Sequence, residues 1–121
     1  MKMKNPFRKE YEISLNRVRD TVVIREGEEK LTLEVNADAQ RMVAGLNAAQ
    51  KRMQAFTDET PETEITETAA FFAGVIFGSN QARKIMDFYN ADPAAVISVC
   101  GRYFRDRLAG LIADVQKKMK V

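Results

Sequence analysis

The stretch Thr68-Ala-Ala-Phe-Phe-Ala-Gly-Val-Ile-Phe-Gly78 is the most apolar in a chain of which 30% of residues are charged. Its reading decides the fold. It is too short to be a membrane span: its apolar and small residues number about ten, whereas a helix crossing the bilayer needs roughly twenty. Wound as a helix, Ile65, Ala69, Phe72 and Ile76 form an inward stripe. Phe71, Val75 and Gly78 then lie on an adjoining face, and Ala70, Ala73 and Phe77 take much of the rest. A helix that is apolar nearly all round is normally the central element of its domain. The pattern predicts a helix over 65–77, with Thr63 or Thr66 as its cap, Glu64 and Glu67 favoured by the dipole, and Gly78 as a left-handed stop.

Upstream, residues 57–64 read Thr-Asp-Glu-Thr-Pro-Glu-Thr-Glu, an acidic connector. Asp58, Glu59, Glu62, Glu64 and Glu67 lack the Asp-x-Asp-x-Asp-Gly order of a calcium loop, so solvated charge is the reading preferred over a cation site. Before it, Met42, Leu46, Ala49, Met53 and Phe56 recur at helical spacing, which predicts a helix over 37–56 capped by Asn36 or Asp38. Thr21–Arg25 and Lys30–Val35 flank Glu26-Gly-Glu-Glu29 as the arms of a β-hairpin, with Leu31, Leu33 and Val35 on one face. A further short strand is expected at Tyr11–Leu15.

Downstream, Ser79 or Asn80 is expected to cap a short helix ending near Tyr89. Asp92-Pro93 then opens a last helix, with Asp as cap and Pro at the first helical position. Ile97, Cys100, Phe104, Leu108, Leu111, Val115 and Met119 share one stripe of it. Unbroken to Lys120, that helix would measure roughly 42 Å. The expected fold class is α+β: an N-terminal β-hairpin followed by three to four α-helices, mainly helical. Residues 1–121 are expected to form a single domain, with a strand and hairpin region at 1–36, a helix at 37–56, the linker at 57–64 and a helical part at 65–120.

The chemistry-bearing residues are few. The chain has no histidine, which removes the commonest general base and zinc ligand, and Cys100 is its one cysteine, set among Val96, Val99 and Phe104 as a small hydrophobe would be. No phosphate-binding loop, nucleophile with a base, or Cys/His constellation is present in the sequence. The expectation is a non-enzyme with no cofactor and no metal. The net charge of +2 is too small to point to nucleic acid. Arg102, Arg105 and Arg107 do not line up as one ridge, so a solvated face is preferred over a DNA-binding one. The basic N-terminus has no apolar stretch behind it, and together with the lone thiol this suggests a reducing cytoplasm and no membrane association.

Two readings of the phenylalanine run stay open: all three rings are core, or one face is kept for another polypeptide. On the second reading Phe71, Phe72, Val75 and Phe77 are the candidate partner-binding residues. Met42 and Met53 join them, since unbranched thioethers repack easily around a client.

The order of parts, a short hairpin, a helix, an acidic linker, Phe71-Phe72-Ala-Gly-Val-Ile-Phe77-Gly78 leading into Gln81-Ala-Arg-Lys-Ile85, an Asp-initiated helix and a Lys-rich tail, resembles the tail assembly chaperones of phages and prophages of Gram-positive bacteria. The resemblance covers roughly residues 20–120. It implies a protein of the bacterial cytoplasm that self-associates and coats apolar helical segments of a tape-measure protein or another phage structural protein. Two alternatives stand beside it: a virion structural part such as a head–tail connector component, and a small DNA-binding regulator.

Overall fold

The computed structural model describes residues 17–119, so the strand expected at Tyr11–Leu15 lies outside the described residues. The fold is α+β and mainly helical. A two-stranded antiparallel hairpin, β1 (Arg17–Glu26) and β2 (Glu29–Asp38), leads into α1 (Ala39–Gln54), α2 (Glu62–Phe77), α3 (Ser79–Phe88) and α4 (Pro93–Tyr103). A π-helical turn over Phe104–Leu108 continues into α5 (Ala109–Met119).

The hairpin arms are longer than their apolar core suggests. Glu26 pairs directly with Glu29, so the loop is the two residues Gly27-Glu28 rather than a four-residue turn. Gly27 has φ +63°, and glycine at the first loop position lets the turn follow the natural twist of the strands. Val18 and Ile24 of β1 and Leu33 and Val35 of β2 are buried on the helix-facing side, while Arg17, Arg19, Thr21, Val23 and Arg25 face solvent.

α2 packs against α1, α3, α4 and β2. Its buried residues are Thr68, Ala69, Phe72, Ala73, Ile76 and Phe77, so it is the centre of the core. Thr68 satisfies its hydroxyl within the helix by donating to the Glu64 carbonyl at 2.9 Å. The close approach of α1 is made at Gly45: a β-carbon there would lie 2.7 and 2.9 Å from the two γ-carbons of Val75.

The caps follow the sequence in part. Asp38 Oδ1 accepts from the amide of Gln40 at 2.8 Å, and Asp92 Oδ1 accepts from Ala94 at 3.1 Å with Pro93 next in line. α2, however, starts three residues earlier than expected, at Glu62, with Pro61 as its N-cap and no side-chain cap from either threonine. Pro61 has no amide to satisfy and its fixed φ leads straight into the helix. Nor does Ser79 or Asn80 cap α3; its N-cap is Gly78, which also terminates α2. Gly78 sits at φ +87°, ψ 160°, outside the left-handed helical region and in one open essentially to glycine alone.

α3 ends in a double hydrogen-bonded closure. The amide of Ala91 donates to the Met86 carbonyl at 2.7 Å, and that of Asn90 donates to Asp87 at 3.1 Å. This places Asn90 at φ 56° and Ala91 at φ 60°. Asparagine tolerates that region; alanine does not. Ala91→Gly is therefore expected to raise stability by about 0.5–1 kcal/mol, measured as a rise in the urea midpoint at unchanged slope.

The last helix runs without a break from Pro93 to Met119 but is not α-helical throughout. The π turn inserts an extra residue per turn and rotates α5 relative to α4. Around this turn Tyr103 and Arg107 both reach Asp20 on β1, while Cys100 and Leu108 are fully buried. Tyr103 Oη donates to Asp20 Oδ2 at 2.6 Å and Arg107 Nε donates to the same oxygen at 2.7 Å. The Arg107 hydrogen bond holds the Asp20 carboxyl below the ordinary aspartate range, against burial, with Tyr103 adding to the effect. A carboxylate lowered in the folded state stabilises fully above its unfolded value near 3.9, and that contribution disappears as pH falls through the folded value. Asp20→Asn should thus cost stability at pH 7 and progressively less below about pH 4. Parallel urea titrations of the two proteins at pH 7 and pH 3 measure this; a gap independent of pH would contradict the pairing.

Candidate functional site

Two apolar grooves lie beside α2, and the six residues singled out in the sequence divide between them and the core. The first groove lies between α2 and α3. Its floor is Ala70, Gly74 and Ala82, its apolar walls are Phe71, Val75 and Met86, and Arg83 and Asp87 stand at its rim, around a cavity of about 510 Å³. Small residues in its base let another backbone come close, and the half-buried Phe71, Val75 and Met86 give it an adaptable apolar lining. The guanidinium of Arg52, reaching over from α1, lies 4.2 Å from the centre of the Phe71 ring. This cation–π contact covers the ring on one side with a side chain that can swing away.

The second groove runs between α1 and the α4–α5 arm. Phe72 forms part of its floor and Met53, Ile97, Phe104 and Ile112 its walls, around a cavity of about 420 Å³. Asn47, Gln50, Ser98 and Arg105 make it the more polar of the two.

Phe71 and Val75 thus share the first groove, whereas Met53 lies in the second with one edge of Phe72. Met42 and Phe77 line neither. They are 3% and 6% exposed, packed in the core, and their expected role as partner-facing residues is corrected to a structural one. The Phe77 ring stacks on Tyr103 with centroids 5.9 Å apart, which fixes α2 against α4. Phe72 is 5% exposed, so its contribution is chiefly to the core as well. The fold covers more of its apolar helix than the composition of 65–77 suggests, because β2 as well as three helices packs on it.

Gly45 and Gln81 carry structural roles that spacing did not reveal. Gln81, in α3, reaches back to β2: its Oε1 accepts from the amide of Glu34 at 2.7 Å, and its Nε2 donates to the Glu34 carbonyl at 2.6 Å and to the Phe77 carbonyl at 2.8 Å. One side chain therefore ties the hairpin, α2 and α3 together beside the first groove.

The Cys100 thiol is fully buried, and burial pushes it up to about 12, so it stays protonated and unreactive at neutral pH. Among the described residues no cluster of three or more His, Cys, Asp or Glu is placed to hold a metal ion, and no helix is long and apolar enough to cross a membrane. In comparisons with known proteins, no family model, no curated protein and no solved structure matches this chain.

Proposed function

We propose that this chain is a phage tail assembly chaperone, or a scaffold-like adaptor, that holds apolar helical segments of a tape-measure protein in the bacterial cytoplasm. The observation that carries the reading is the α2–α3 groove, where Phe71, Val75 and Met86 rise around a floor of Ala70, Gly74 and Ala82. An amphipathic helix buries its apolar stripe in such a groove through side chains at i, i+3 and i+4. The Phe71 and Val75 pair meets that requirement from this side, being itself spaced by one turn. Binding without chemistry is in keeping with a chain that has no histidine and whose one thiol is inert. Self-association through the same groove would shield it when no client is present.

Co-expression with a phage tape-measure protein tests the reading. The wild-type chain should carry the client into the soluble fraction and co-purify with it, and Phe71→Asp should lose both effects while remaining folded. A client that stays insoluble beside the wild-type chain, or is held equally by Phe71→Asp, contradicts it. Absence of the chain from finished particles separates this role from that of a connector component.

A further inference from the structure

The two edges of the hairpin are treated differently by the fold. On β2, the outward-pointing amide and carbonyl of Glu34 are both taken by Gln81. Glu34 is paired with Thr21, and in an antiparallel ladder such a pair points the backbone groups of both residues away from the shared strand boundary. The alternation then continues along β1, so Arg17, Arg19, Thr21, Val23 and Arg25 direct their amides and carbonyls outward. Among the described residues no backbone group outside the hairpin bonds them, and the side-chain bonds of this row, Arg17 to Asn36 and Thr21 to Glu34, stay within the hairpin. Unpaired among the described residues, an edge of this length is a template for another strand.

The side chains of the same five residues face solvent, and three of them are arginines with no acid among them. Val23, 46% exposed, is the one large hydrophobic residue left exposed among the described positions, and it sits in the middle of this row. A second copy of the chain is a poor occupant. Antiparallel pairing of β1 with itself in its two registers of fullest overlap, centred on Thr21 or Val22, sets Arg17 or Arg19 directly against Arg25, and like charges facing across a strand pair repel. The row that keeps copies apart selects the opposite charge.

We infer that the outer edge of β1 is a docking edge for an extended, acidic polypeptide segment, one with Glu or Asp at alternate positions and β-branched residues between them. The acidic side chains lie over Arg17, Arg19 and Arg25. The apolar ones fall on the helix-facing side beside Val18, half-buried Val22 and Ile24, flanking the Asp20 carboxylate that Tyr103 and Arg107 already hold. This surface is separate from the α2–α3 groove and does not depend on the chaperone reading.

A fluorescein-labelled peptide of alternating Glu and Val, titrated into the full-length protein and followed by fluorescence anisotropy, tests it. Saturable binding is expected, about tenfold weaker for the double variant Arg19→Glu/Arg25→Glu, with the preference reversed for a Lys–Val peptide. Amide hydrogen exchange supplies the geometric readout. On binding, the amides of Arg19, Thr21 and Val23 should gain protection, while those of Asp20, Val22 and Ile24, already bonded to β2, should not change. Equal binding by the charge-reversed variant overturns the proposal. So do outward amides already protected in the free protein, which would mean that the edge is covered, or binding of a single-stranded oligonucleotide to the arginine row with no effect of the acidic peptide on those amides.

Discussion

Phe72→Ala is expected to destabilise the chain by about 3–5 kcal/mol, whereas Phe71→Ala, one residue away, should cost about 1–2 kcal/mol. The difference stems from position on α2. Phe72 is 5% exposed and packed where α1 and the α4–α5 arm meet α2, so its removal leaves a cavity that rigid neighbours on several elements cannot fill. Phe71 is half-buried under a flexible arginine, and its loss forfeits part of an apolar area and one cation–π contact of about 0.5–1 kcal/mol. Urea unfolding of both variants measures the contrast. Equal losses would mean that Phe71 is as much a core residue as Phe72 and would remove the basis for an available face. The same pair of variants separates fold from function: Phe71→Ala should stay folded and bind apolar helices poorly, whereas Phe72→Ala should fail first in stability.

The second large effect is at Gly45. A methyl group there would sit 2.7 and 2.9 Å from the γ-carbons of Val75, closer than real β-carbons approach side chains, and the obstacle is a branched residue rather than the end of a flexible one. Forcing extra volume into such a contact costs typically 1–3 kcal/mol, against a helix-propensity gain of up to about 1 kcal/mol for replacing glycine, so Gly45→Ala should lower stability by about 1–2 kcal/mol. Val75→Ala removes both obstructing methyl groups. The double variant should consequently lose at least about 1 kcal/mol less than the sum of the two single changes, the coupling expected of residues in direct contact. Additive losses would show that α1 and α2 are further apart than this contact requires. Because Val75 also lines the α2–α3 groove, a wedge at Gly45 should shift that groove and weaken client binding as well.

Much of this arrangement was legible in the chain. The alternation of Leu31, Leu33 and Val35 marks the dry face of β2, and Asp38 and the Asp92-Pro93 pair mark two helix starts through chemistry that is local and therefore readable. What was not legible depends on residues far apart. The π turn at Phe104–Leu108 carries no spacing signal of its own, and Asp20, the partner that Tyr103 and Arg107 share there, lies more than eighty positions away in sequence. Gln81 looks like any polar helix residue until β2 is laid beside it. Gly45 shows only that something approaches closely, not that Val75 does. The assignment of Phe71, Phe72 and Phe77 was hardest for a physical reason. On a helix apolar nearly all round, successive residues turn through about 100°, yet the pattern has no polar face from which to count. Only the packing of α1, α3, α4 and β2 distinguishes the sealed rings from the half-open one.

Methyl NMR of the methionines reads the proposed groove most directly, because three of them report on different parts of the molecule. Met86 lines the α2–α3 groove, Met53 the α1–α4 groove, and Met42 is 3% exposed in the core. On titration with a peptide carrying an apolar helical segment of a tape-measure protein, the Met86 methyl should shift and saturate while those of Met53 and Met42 stay in place. A Met86 signal that does not move, or a shift confined to Met53, would contradict the assignment of the client to this groove.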